Sequence, residues 1–530
     1  MAAKARLPTL CAAPSTCTLL PSLRSPQTNS MAATATATAR RNPARPAKAA
    51  TGPQEAAAAP ARDGGTELSA WTSVRQERWE GELPVEGRLP DWLSGTYLRN
   101  GPGLWNVGGG GAFHHLFDGY ATLVRVSFRR GRATGAHRQV ESDAYVSAVA
   151  SGGPVLREFS QCPDKPGSLL GRMSNAVGIL SGAALTDNPN SAVLPLGDGR
   201  VLCLTETTKS SVLVEPETLA TVGKLRMAAG SDEREVIGRV DCRGGPTPGW
   251  MHSFAVTENY VVVPEMPLRY SASSLIKCEP APYYAFEWLP ASGSYMHVMC
   301  RSTGKTVASV EVPPFMAIHY INAYEERGED DGRAAAVIVD CCEHYGDPAI
   351  IETLVLHRLR SLRDKDVLPN ARVGRFRIPL DGSPFGELDT ALDPEEHGRG
   401  IDMCSINPAY LGKRYQYAYA CGARRPCNFP NTLTKIDLVE KTAMNWHEEG
   451  AVPSEPFFVA RPGATDEDDG VVISIVSALG GDGYALVLDA ATFQEIARVR
   501  FPYGLPYGFH GCWIPDKILT GRFDGNTQVD

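Results

Sequence analysis

The chain has 530 residues, a formal charge of −8, 43% hydrophobic and 21% charged residues, which is enough apolar content for one large core or two. An acidic balance with no basic stripe excludes nucleic acid as a natural partner, because nothing would release the counterions of a phosphate backbone. No apolar run reaches the roughly 18 residues that a spanning helix needs, and the 13 cysteines contain no C-x-x-C pair, which argues for reduced, mostly buried thiols over a disulfide framework or a zinc site.

Residues 1–54 hold no Asp or Glu but carry Lys4, Arg6, Arg24, Arg40, Arg41, Arg45 and Lys48 among Ala, Ser, Thr and Pro. That composition predicts a disordered plastid transit peptide, with a featureless Ala/Pro tail as the alternative; the apolar run from Cys17 to Leu20 is too short for a secretory core. Without those seven cations the remainder carries −15.

From about Trp71 to Pro515 there is no low-complexity linker, and 516–530 reads as a tail. Short β-branched runs predict strands over 121–128, 200–207, 260–268, 335–343, 414–421 and 470–478. LGDGR (196–200), PLDGS (379–383) and GGDGY (480–484) supply the positive-φ residues of tight hairpins. One hairpin design recurs at 212–225, 297–312, 434–446 and 486–501, which suggests the blades of a β-propeller, with a β-sandwich as the plainer alternative. Helical periodicity is scarce; the best segment is 168–184, SLLGRMSNAVGILSGAA, expected to lie over one face.

Three histidines share one setting, beside a predicted strand end with an apolar neighbour on each side: His252 in WMHSF, His319 in MAIHYIN and His510 in YGFHGCW. Inner strands of propeller blades converge on one axis, and converging neutral imidazoles suit a first-row transition metal such as Fe(II), Cu or Zn. Three separate core histidines would give the same sequence pattern.

YLRNGPG (97–103), FHHLFDGYATLVRV (113–126), MHSFAVTENYVVVPEMPL (251–268), HYINAYEE (319–326), PSEPFFVARPGATDEDDGVVISIV (453–476) and LPYGFHGCW (505–513) resemble, in collinear order over 71–515, the carotenoid cleavage dioxygenases. The resemblance implies a seven-bladed β-propeller under a dome of loops and helices, with a non-haem Fe(2+) on the axis held by four histidines. His252, His319 and His510 match three of the four ligand motifs. Glu206, Asp402 and Glu455 match the carboxylates behind them, Asp402 standing where many relatives have Glu. A carboxylate that accepts the ring N–H fixes the tautomer and raises the basicity of the other nitrogen. CCEHYGDP (341–348), DMCSINPAYLG (402–412) and ACGARRPCNFPN (420–431) point to the plant branch of strigolactone biosynthesis. The implied reaction is O₂-dependent cleavage and rearrangement of 9-cis-β-apo-10′-carotenal to carlactone. Such a substrate is membrane-borne, so a peripheral contact through 168–184, in the plastid stroma, is expected. A retinoid isomerohydrolase on the same scaffold and a non-catalytic apocarotenoid carrier are the competing readings.

The chain also departs from that pattern. In relatives the first ligand lies in an Ala-His-Pro motif between the segments matched here by 212–224 and 251–254, yet this chain has no histidine between His137 and His252. About 40 residues, close to one blade repeat, are missing near Leu225–Met227. Either the functional protein contains them, which is the favoured reading, or this is a shortened isoform with three protein imidazoles. His114, His115 or His297 could in principle substitute, but each belongs to another segment of the resemblance.

Overall fold

The computed structural model describes residues 69–516 apart from internal gaps, the longest being 162–176, 227–235 and 275–284. The expected plastid address, the tail after 516 and all but three residues of 168–184 lie outside the described residues.

Strands carry the fold. The runs expected at 121–128, 335–343, 414–421 and 470–478 are Tyr120–Arg129, Ala334–Glu343, Tyr417–Ala423 and Gly470–Ser477. Two expectations were too long. The first of them, 200–207, is strand only over Val201–Cys203, the chain then leaving the sheet towards Glu206; 260–268 divides into Tyr260–Glu265 and Leu268–Tyr270 around Pro267, which has no N–H for a ladder.

Six antiparallel sheets of four or more strands follow one another among the described residues. In chain order, four of them begin at Val193–Pro195, Ala255–Val256, Ala317–Arg327 and Arg399–Ser405, each adding its next three long strands outwards. The fifth starts at Val452–Pro453 and takes Val85–Gly87 as its outermost strand, and the sixth joins Gly95–Arg99 to Gly511–Pro515 in the register Thr96↔Ile514. Both ends of the chain therefore complete each other's sheets and close the propeller. Three of the four recurring hairpins are the two outer strands of their sheets, and the fourth, 486–501, lies just inside Val85–Gly87. Each turns through one left-handed residue, Leu219, Gly304, Lys441 or Phe493, at φ 56°, 67°, 56° and 57°. This is the type I turn ending in a left-handed position that suits the twist of paired strands.

Separate hydrophobic layers fill the spaces between neighbouring sheets. Leu98, Leu123, Val201 and Val212 join the closing sheet to the one at 193–226; Val298, Phe315 and Val339 join the sheets at 255–312 and 317–392. Ile338 and Ala420, Tyr419 and Leu486, and Val126 and Ile473 lie in the next three layers round the ring. The junction between the sheet at 193–226 and the sheet at 255–312 is different. There, among the described residues, the hydrophobic neighbours of Leu202, Leu204 and Leu213 are Ala192, Leu194, Leu196 and Leu225 of the same stretch. The seventh blade implied by the resemblance has no counterpart among the described residues.

A cover of short elements lies over one end. Its core holds Trp71, Trp105, Leu116, Leu356 and Phe429, with the helix Asp143–Ser151 capped by Ser142 and ended by Gly152 at φ 72°.

Candidate metal centre

His252 precedes the inner strand Ala255–Val256, His319 lies within Ala317–Arg327, and His510 immediately precedes Gly511–Pro515. Three different sheets thus deliver one imidazole each. Their ligand atoms lie within 4.8 Å of one another, with Nε2 of His510 at 3.4 Å from Nε2 of His252 and 3.2 Å from that of His319. His114, His115 and His297 are not among them. His115 caps the turn Leu116–Asp118 and reaches Ile351 O, while His297 sits between Glu265 and Ser309 in its sheet.

Local contacts set this spacing. Ser253 Oγ donates to Ile318 O at 2.6 Å, tying the residue after His252 to the residue before His319. The His510 loop is pinned by Asn100, whose N–H donates to His510 O while Phe509 N–H donates to Asn100 O. Buried Arg99 donates from Nη1 to Pro506 O. Gly508 is required here: a Cβ would lie 1.9 to 2.2 Å from the Arg99 side chain. The glycine-rich setting of His510 is therefore a close-packing requirement around a buried guanidinium.

Each ring has a carboxylate behind it. Nδ1 of His252, His319 and His510 lies 2.6, 2.6 and 2.8 Å from Glu206 Oε1, Asp402 Oδ1 and Glu455 Oε1. All six residues named from the sequence are thus brought together. An ionised carboxylate only accepts, so each Nδ1 carries the proton and each Nε2 is a bare lone pair. The lone pairs of His252 and His319, 3.4 and 3.2 Å from that of His510, repel it unless a cation lies between them. Two metal–nitrogen bonds of about 2.0–2.1 Å at angles from square to tetrahedral set their nitrogens about 2.8–3.4 Å apart, a range that holds both separations. The charges agree. Burial lowers the His319 ring below the usual imidazole range and keeps it a neutral donor. For His510 burial also lowers, but Glu455, with Glu206 and Asp402, outweighs it and pushes the ring up, so the three carboxylates call for positive charge at the centre. The donor set fits a first-row divalent metal such as Fe(II).

Further partners went unnoticed in the sequence. Glu206 also accepts from Ser191, and Glu455 accepts the Gly511 N–H through Oε2. Asp402 accepts the Met403 N–H through Oδ1 and His344 through Oδ2. Burial pushes the Asp402 carboxyl up, but His319 and His344 more than reverse this and hold it ionised. Of these partners Gly511, Met403 and His344 lie within motifs that carry the resemblance, LPYGFHGCW, DMCSINPAYLG and CCEHYGDP, but none was singled out there.

The centre opens into a cavity of about 430 Å³ under the cover, lined by Phe117, Phe159, Trp250, Phe286, Phe429 and Phe509 besides the three histidines. A mostly apolar, aromatic cleft ending at a few convergent polar groups suits an elongated apolar ligand with its reacting carbons held at the metal.

The profile of the family described as "Retinal pigment epithelial membrane protein" matches residues 71–238 and 230–515, two stretches that overlap at 230–238. The chain is 74% identical to "Carotenoid cleavage dioxygenase 8 homolog A, chloroplastic" of Oryza sativa subsp. japonica, over 85% of this chain and 88% of that protein. It is 56% identical to the Arabidopsis thaliana "Carotenoid cleavage dioxygenase 8, chloroplastic", over 84% and 85% respectively. In fold it is similar to the Synechocystis apocarotenoid oxygenase, in a solved mutant structure, with a TM-score of 0.70 at 21% identity covering 84% of this chain and 98% of that one. The chain belongs to the carotenoid cleavage dioxygenases, within the retinal pigment epithelial membrane protein family.

Proposed function

We propose that this protein is a plastid non-haem iron dioxygenase that cleaves an apocarotenoid with O₂, converting 9-cis-β-apo-10′-carotenal to carlactone in strigolactone biosynthesis. The observation that carries the reading is the meeting of the His252, His319 and His510 Nε2 atoms at the floor of an aromatic cavity. Ferrous iron held by these nitrogens would supply binding and activation of dioxygen, which Zn²⁺ or Mg²⁺ would not. The remaining work falls to the chain. Glu206, Asp402 and Glu455 hold the ring protons on Nδ1 and keep Nε2 available, and the aromatic walls orient the polyene and exclude water. The chloroplastic names of the relatives support the plastid address read in residues 1–54, and the apolar segment 168–184 is the proposed point of contact with the membrane surface.

The separate leucine layer of the sheet at 193–226 and the two-part family match support a functional form with about 40 further residues, forming the missing blade and supplying the fourth imidazole. The test compares the chain as it stands with one carrying the restored segment, each incubated with the apocarotenal and ¹⁸O₂. The restored chain is expected to bind near-stoichiometric iron and to place label in both carbonyl fragments, with the shorter chain well below it. Unlabelled product would establish an isomerohydrolase instead. Tight apocarotenoid binding without iron would establish a carrier.

A further inference from the structure

The three carboxylates behind the imidazoles are not equivalent. Glu206 and Glu455 reach their rings with a full glutamate side chain, whereas Asp402 is one methylene shorter yet makes an equally close contact of 2.6 Å. Two features compensate. The pairing of Arg399–Ser405 with Tyr417–Ala423 shifts register on both sides of Asp402, and Met403 is left-handed at φ 51°. The strand therefore bulges at this residue and re-aims the short side chain. A bulge also breaks the ladder that would otherwise hold the backbone. The second feature supplies a hold from elsewhere: His344 Nε2 lies 3.1 Å from Asp402 Oδ2.

His344 is placed for this and nothing else nearby explains it. It follows the buried strand Ala334–Glu343, and its own N–H donates to Met316 O at 2.8 Å. Tyr345 and Gly346, both left-handed at φ 53° and 63°, then turn the chain sharply away. The residue is 3% exposed, lines the cavity beside Asp402, and has a buried Nδ1 with no hydrogen-bond partner among the described residues. Burying an imidazole with one nitrogen unpaired costs free energy, so the bond at Nε2 must return something.

We propose that His344 is a positioning residue of the metal centre: it donates Nε2–H to Asp402 Oδ2 and fixes the carboxylate plane, so that Oδ1 meets the His319 ring and aims its Nε2 at the metal. The proposal rests on the metal-centre reading above. Asp402 and His344 act as one unit, doing what Glu206 and Glu455 each do with a single longer side chain.

Cobalt(II) binding to the full chain, measured by chelator competition together with the visible ligand-field bands, tests this. His344→Leu should weaken cobalt 10–100-fold, the usual effect of losing such an outer partner, and shift the bands. His344→Gln, whose amide can place a donor near the Nε2 position, should stay within a few-fold of the unmodified chain. In an Asp402→Ala background His344→Leu should have no further effect, because the two residues act in series. The proposal is overturned if His344→Leu binds cobalt as the unmodified chain does, or if it loses the same factor in the Asp402→Ala background, as a general packing role would. Should His344→Leu fail to fold, judged by the melting of the metal-free chain, His344→Asn, too short to reach Oδ2, takes its place with the same two outcomes. An unmodified chain that binds no cobalt would instead sink the metal centre itself, and this proposal with it.

Discussion

Glu455→Gln and Glu206→Gln are the same isosteric change behind two of the three imidazoles, yet the structure assigns them different consequences. Glu455 is 7% exposed and uses both oxygens, Oε1 for His510 Nδ1 at 2.8 Å and Oε2 for the Gly511 N–H at 3.0 Å. A glutamine has one oxygen for these two donors. If its NH₂ faces His510, the ring must move its proton to Nε2 and loses the lone pair aimed at the centre. If its NH₂ faces Gly511, a buried backbone N–H is left opposite another donor at a cost of about 1–3 kcal/mol. Since about 1.4 kcal/mol is tenfold in a binding constant, metal affinity should fall by roughly 10–100-fold. Glu206 receives both His252 and Ser191 on the same oxygen, Oε1. A glutamine there can keep its carbonyl in place, lose only the charge assistance, and weaken binding by a smaller factor. Iron(II) or cobalt(II) competition with a chelator reads both. Equal losses, or the larger loss at Glu206, would refute the donor-counting argument.

Two further outcomes follow from buried groups away from the centre. Glu265 is pushed up by burial, but His297, Arg269 and the backbone N–H groups of Arg243 and Gly244 bring it down to about 2 from an ordinary 4.5. A lowered folded value stabilises above the unfolded value and ceases to do so as pH falls through about 2. The urea midpoint of the unmodified chain should therefore converge on that of Glu265→Gln between pH 4.5 and the lowest accessible pH, and parallel curves would contradict this. The two faces of the sheet at 193–226 should also differ. Leu98→Ala, in the layer shared with the closing sheet, should cost about 2–5 kcal/mol. Leu213→Ala, on the face whose hydrophobic neighbours among the described residues belong to its own stretch, should fall below that range by the same denaturation assay.

Much of this was legible in the chain because the signals are local. The four hairpins repeat one turn, and Leu219, Lys441 and Phe493 take the left-handed position although none is glycine; the repeat, not the residue type, revealed them. His252, His319 and His510 could be named from their flanking residues, but nothing in their separation of up to 258 positions says that they meet. That meeting depends on strands from three sheets and on links such as Ser253 to Ile318. His344 was invisible for a related reason. Its partner Asp402 lies 58 residues away, and the bulge that shortens the distance leaves no mark on strand periodicity. The expectation for 200–207 was too long because RVLCLTET keeps strand composition after the backbone has left the ladder to deliver Glu206.

The stitch between Gly95–Arg99 and Gly511–Pro515 bears on how the protein is made. His510 is the residue just before the last strand of that stitch, so its nitrogen can join the other two only after Gly511–Pro515 has been made and captured by Gly95–Arg99. A metal held by all three imidazoles would therefore have to bind after that pairing. A message truncated shortly before codon 510 would forfeit the clasp and the centre in one step.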